Sequence, residues 1–217
     1  MIERDYIQSN IKSPDSFIAE SIKAQVIDWL ISRHQDIIIG NEVMYGTSRK
    51  VVDLLAIIDN KTVAIEIKSA SDKLTRLSEQ LREYNKVFDK VIIISSPSHI
   101  KGITRILPDG TGLYSLDKQI KRVRAAAANH HLDKIEMLNS ISSAFLKKRY
   151  PQYRSLNEKK IRLLLSKEKK ADIHQLLMSF YQLRLKEKFQ LFMNDRGEQT
   201  LVDDIPTLSS LTLIDES

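Results

Sequence analysis

Cysteine is absent from all 217 residues. That removes disulfides, thiolate nucleophiles and cysteine-based zinc sites together, so any metal would have to rest on oxygen or imidazole. Also missing is a run of about eighteen apolar residues, the length a membrane-spanning helix needs. The first residues, MIERDYIQSN, lack the basic stretch leading into an apolar one that marks a secretory leader. The expectation is a cytoplasmic protein with no membrane partner. No GxxxxGK[ST] string occurs, and PDGTG at 108–112 is too short to cradle a phosphate and open a helix, which argues against intrinsic ATPase activity. The histidines are scattered, and the pair His130-His131 has no third ligand at metal spacing, so zinc is not expected.

What is present is an ordinary soluble balance, 42% hydrophobic and 29% charged, with a formal net charge of +6 that favours a polyanionic partner. From Ser13 to His34, residues Phe17, Ile18, Ile22, Val26, Trp29, Leu30 and Ile31 recur at helical spacing, with Ser13 or Asp15 available as a cap. DIIIGNEVMY (36–45) reads as a strand with a bulge or bend at Gly40. KVVDLLAII and KTVAIEIK follow as two strands joined at Asp59-Asn60, a dipeptide that tolerates the positive φ of a tight hairpin. Asp72 can cap a helix to about Phe88 whose stripe is Leu74, Leu77, Leu81, Tyr84 and Phe88. KVIIISS then reads as a buried strand, parallel to the one before the helix. The stretch 96–117 reads as loop with one short strand at Gly112 to Leu116, and the remainder as helices at 117–127, 132–150 and 158–192 with a break near Lys170.

The chemistry concentrates in the hairpin. A turn at Asp59-Asn60 pairs Ile58 with Lys61 and sets Asp53 opposite Glu66, with Cβ atoms about 4.5–5.5 Å apart. Lys68, two positions on, shares the face of Glu66, while Val63, Ile65 and Ile67 point the other way. A solvated strand face or a plain ion pair of Lys68 with either acid would give the same string. Yet opposed carboxylates destabilise a hairpin unless neutralised, and a hard divalent ion such as Mg²⁺ removes that conflict. Two acids, a lysine and Mg²⁺ suit hydrolysis of a phosphodiester by an activated water.

Asp53 in VVDLLAI, with Glu66 and Lys68 in IEIKS, resembles the motif of the PD-(D/E)XK nuclease superfamily, the restriction-endonuclease-like fold. SEQLREY supplies Gln80 and Tyr84, similar to the Q-x-x-x-Y motif of its RecB-like branch. The string from Glu66 to Ser95 is also similar to an uncharacterised bacterial and phage group within that superfamily. The literal Pro-Asp is absent, since Val52 precedes Asp53. The resemblance implies an α/β core of helix, three antiparallel strands, helix and strand over residues 1–116, with a mainly α-helical extension over 117–217. It implies Asp53, Glu66 and the carbonyl of Ile67 as metal ligands, Lys68 as the catalytic lysine, Glu20 as an additional acid on the first helix, and Gln80 and Tyr84 on the helix behind the site. Glu42 is a rival third acid, Tyr84 would equally serve the apolar stripe, and Arg49 and Lys50 stand nearest the site as phosphate contacts.

The expected function is a Mg²⁺-dependent deoxyribonuclease in which Mn²⁺ can substitute, with DNA the expected partner ahead of RNA. An RNA nuclease, or a nuclease-fold binding module without catalysis in a multi-protein assembly such as anti-phage defence, are the alternatives. The basic helices KQIKRVRAAA and FLKKRYPQYR could track phosphates, with Tyr150 and Tyr153 for stacking, or could cap the core and mediate a homodimer or protein contact.

Overall fold

Alternating and helical hydrophobic patterns resolve into a six-stranded sheet with helices on both faces. The computed structural model describes residues 14–209. Helix α1 (Pro14–Ile31) leads into strands β1 (Ile38–Tyr45), β2 (Lys50–Ile58) and β3 (Lys61–Lys68), then helix α2 (Leu77–Tyr84) and strand β4 (Lys90–Ser95). Helix α3 (Ile100–Ile106) and strands β5 (Gly112–Leu116) and β6 (Ile120–Arg124) follow. Helices α4 (Lys134–Asn139), α5 (Ser143–Arg149), α6 (Glu158–Leu165) and α7 (Lys170–Asp195) precede a 3-10 segment, Val202–Leu208. The strands lie in sequence order, β1 to β6; β3, β4 and β5 are mutually parallel, and the other neighbours are antiparallel. The expected cap at Ser13 lies outside the described residues.

The β2–β3 turn forms as its sequence requires. Asp59 and Asn60 take φ of 50° and 57°, and Ile58 pairs with Lys61. Two apolar layers flank the sheet. Beneath α2 lie Leu81, Tyr84 and Phe88 with Leu177 and Tyr181 of α7. On the other face Val26, Ile27 and Leu30 of α1 pack on Ile39, Leu54 and Ile65. The long helix α7 serves both, with Leu177 to Leu185 in the first layer and Phe189 and Phe192 in the second. His174 of α7 holds Asp89, which also accepts the Thr62 N–H and hydroxyl, so the helix is tied to the start of β3.

Several local expectations are corrected. The region 117–127 is not a helix: Ile120 to Arg124 pairs with β5, because a strand edge overrides the helical propensity of Lys, Arg and Ala. The stretch after β4 contains helix α3 rather than continuous loop. Helix α2 begins at Leu77, and Asp72 does not cap it but accepts the Ser69 N–H at 2.6 Å, closing the turn that leaves β3. The region 132–150 divides in two, with Asp133 capping α4 and Ser142 capping α5.

Gly40 does not bulge. A Cβ there would lie 2.6 Å from Leu185 Cδ2 and 2.9 Å from Val43 Cγ2, so its role is close approach of α7 to β1. Gly40→Ala is expected to cost about 1–3 kcal/mol through overpacking, read as a lowered urea midpoint. The irregularity falls at Glu42 instead, whose φ is 52°. A non-glycine residue there costs about 1 kcal/mol or more and persists only where its surroundings dictate it.

Candidate active site at the centre of the sheet

Strands β1, β2 and β3 change character at one level. The β1–β2 register pairs Asn41 with Leu54 and Val43 with Val52, so Glu42 stands opposite Asp53 between them. The β2–β3 register ends at Leu54 and Ile65, and one step beyond that last pair Asp53 stands opposite Glu66. Regular strands send residues three apart to opposite faces. Here Val52 and Leu55 both enter the layer beneath α2, and Gly40 and Val43 both turn toward it. The two strands therefore shift phase together at Glu42 and Asp53. The ladder lapses where the carboxylates sit, and the Asp53 side chain takes over part of it by accepting the Ile67 N–H on Oδ2 at 2.8 Å.

Glu66 is 1% exposed and fully engaged. Its Oε1 accepts from Lys68 Nζ at 2.7 Å and Gln80 Nε2 at 3.0 Å, and its Oε2 accepts the Tyr84 hydroxyl. Gln80 and Tyr84, four apart on α2, reach it from the same helix face. The Tyr84 ring packs 5.2 Å from Tyr45 and 6.0 Å from Phe88 in the core, while its hydroxyl bonds Glu66. Burial, reinforced by Glu66, pushes the phenol well above its ordinary range. Lys68 has a side chain 12% exposed and ion-pairs with Glu66.

Asp53 is in a different position. Burial first and the Glu66 charge second raise its carboxyl to about 7, against the opposing Ile67 N–H, Lys68 and Lys23. No donor among the described residues reaches its other oxygen. Glu20 and Glu42 do not join Glu66. Both are drawn to Lys23, buried on α1, at 3.6 and 3.9 Å. Lys23 thus links the two rival acids and faces the Asp53 charge from the α1 side. The sequence reading missed it; its one signal was the i,i+3 spacing from Glu20, common on any helix surface. Lys50 pairs with Glu79 on α2 at 2.6 Å, next to Gln80, while Arg49 is exposed in the β1–β2 turn at φ 51°. Among the described residues no group of three His, Cys, Asp or Glu converges tightly enough to hold a metal.

Fold and site together define a mixed α/β protein whose six-stranded sheet carries a buried carboxylate cluster wired to a lysine, a glutamine and a tyrosine. The chain belongs to the Bacteriophage P4 protein cII family, whose model it matches over residues 13–209. It is similar to Protein cII of Enterobacteria phage P4, at 29% identity over 107 residues, 48% of this chain and 40% of that protein. The match thus spans less than half the length of that relative. Among solved structures it is similar to a protein of unknown function from Silicibacter pomeroyi, with a TM-score of 0.37, 17% identity, and coverage of 58% of this chain and 86% of that one. Neither name states an activity. No helix among the described residues is long and apolar enough to cross a membrane.

Proposed function

We propose that the chain is a metal-dependent nuclease of the PD-(D/E)XK kind, with a restriction-endonuclease-like core, that hydrolyses DNA phosphodiester bonds. One observation carries this reading: Asp53 and Glu66 stand at one level of adjacent strands, with Lys68 bonded to Glu66 and Gln80 and Tyr84 fixing it from behind. Asp53 and Glu66 are hard oxygen donors of the kind a divalent ion takes, and a site built on them would rest on two carboxylates and not on a cluster of three acids. Among the described residues Asp53 keeps one carboxylate oxygen without a donor, and burial first and the Glu66 charge second raise its carboxyl, a cost that a dication would relieve. With two carboxylates and the Ile67 carbonyl to offer, the protein would leave most positions to water and substrate oxygens, the habit of Mg²⁺.

When bound, Mg²⁺ would polarise a phosphoryl oxygen and acidify a water. The chain's own residues do the rest. Gln80 and Tyr84 hold Glu66 in one rotamer, as supporting hydrogen bonds do for ligating carboxylates. Lys68, anchored on Glu66, presents its remaining N–H groups to charge developing on the phosphate. Lys23 offsets part of the Asp53 charge and pairs with Glu20 and Glu42.

A second reading, a nuclease-fold binding module without catalysis, is favoured by the engagement of Glu66: three protein donors already bond its two oxygens. Incubating plasmid, single-stranded DNA and RNA with the protein in Mg²⁺ or Mn²⁺ separates the two. Cleavage is expected, and Lys68→Ala should lower its rate by at least about 100-fold, the scale of losing one preorganised donor. Intact substrates throughout, with a folded protein, would leave the binding module.

A further inference from the structure

The net charge of this molecule resides in one part of it. From Lys147 to Lys170, 24 residues, the chain has ten lysines and arginines against two carboxylates, Glu158 and Glu168, a local charge of +8. The whole chain is +6, so everything outside this stretch sums to −2. The stretch forms the end of α5, the 3-10 turn Pro151–Tyr153, α6 and the first residue of α7. Ile161 and Leu165 anchor α6 in the core, which leaves its cations outward. Lys148, Arg149, Arg154, Lys159, Lys160 and Lys167 are all exposed. One cation is spent internally: Arg162 pairs with Glu158 at 2.8 Å and donates to the carbonyls of Leu138 and Ile141.

A lysine-rich helix face is often merely solvated. Two features separate this one from that case. The exposed cations come from three successive elements in a molecule otherwise slightly acidic, and only two carboxylates, one of them paired with Arg162, offset ten cations. Between them, half-buried Tyr150 and Tyr153, packed against the core, stack with centroids 6.0 Å apart and planes at 26°, an aromatic pair within the charged field. The lobe also feels the charge of the β1–β2 turn. Ser143 and Arg162 chiefly hold the Glu158 carboxyl below its usual range, and Arg49 of the β1–β2 turn adds to them. That turn leads within four residues to Asp53.

We propose that the α5–α6 lobe is a nucleic-acid docking surface that grips the phosphate backbone. It goes beyond the nuclease reading, since the grip needs no metal and no cleavage.

The test is fluorescence anisotropy of the full chain with a labelled duplex of about 20 base pairs, in EDTA, across a salt series; single-stranded DNA and RNA of equal length report which polymer is preferred. Each phosphate contact contributes about 0.9 to the slope of log affinity against log salt on duplex DNA. Replacing Lys148, Arg149, Lys159 and Lys160 together by Gln is expected to reduce the slope by about 3–4 and weaken binding at least about tenfold. Replacing Lys118, Lys121 and Arg122 of the β5–β6 hairpin by Gln should change it by less than about 0.5. Arg154→Gln alone, a single exposed change, should remove about 0.9 and decides the matter if the fourfold variant does not fold. A folded lobe variant with the wild-type slope would overturn the proposal, as would equal losses in both clusters, or wild-type binding to anionic phosphatidylglycerol vesicles as tight as to nucleic acid.

Discussion

Asp53→Asn is expected to stabilise the protein at neutral pH by about 2–4 kcal/mol in the absence of divalent cations. The Asp53 carboxyl stands at about 7, raised by burial and by Glu66, against an ordinary value near 3.8. A raised acid favours its neutral form in the folded state, so its unfavourable contribution is nil below about pH 4, grows as the pH climbs toward 7 and is constant beyond. Each pK unit corresponds to about 1.36 kcal/mol, and sharing with Glu66 trims the total. Asparagine keeps an acceptor for the Ile67 N–H and removes the charge. Urea titrations of both proteins between about pH 4 and 8 should show their stabilities diverging as the pH rises. The difference between them isolates Asp53, because His174, raised by its bond to Asp89, also loses its contribution as the pH climbs past it. Adding Mg²⁺ should narrow the gap by stabilising the wild type alone, through binding to the folded state. Parallel titration curves for the two proteins would mean that Asp53 carries no uncompensated charge, and the case for a cation there would fall with it.

Glu66→Ala should act in the opposite direction, destabilising by about 3–5 kcal/mol. Removing one partner of a buried pair leaves the other's charge stranded, and Lys68 has little solvent to turn to. The Gln80 amide and Tyr84 hydroxyl lose their acceptor in the same step. Two carboxylates on neighbouring strands thus answer truncation with opposite signs, because three donors satisfy one and a single backbone N–H serves the other. The comparison needs only chemical denaturation and no assumption about catalysis. A near-neutral Glu66→Ala would show that the donors find water easily, which the burial of this cluster does not allow.

The part of this arrangement legible in the sequence was the part fixed by local backbone rules. Asp59-Asn60 announced a tight reversal, the reversal set the register, and the register brought Asp53 beside Glu66. The stripe from Leu74 to Phe88 was equally plain, although the helix beneath it is shorter, because Asp72 spends its side chain on Ser69. What escaped notice depended on distant packing. Lys23 looks like any helix-surface lysine until the sheet brings Glu42 against α1. The change of phase at Glu42 and Asp53 needs two strands to deform together, and neither carries a glycine at that level. Residues 117–127 have a helix-forming composition and become a strand because β5 offers an unpaired row of backbone groups. The assignment of Glu20 as an additional ligand met a lysine that holds it and its rival Glu42 alike.

The margins of the sheet are closed by unlike means. At β1, Ser209 bridges to Asn41, so the chain's own later residues lie along that side. At β6, the far side, Lys121 and Arg122 are exposed beside Val123. An identical margin brought edge to edge would align cation with cation, a common safeguard against runaway strand addition. Polymerisation through either border is thereby discouraged, at one by occupancy and at the other by repulsion.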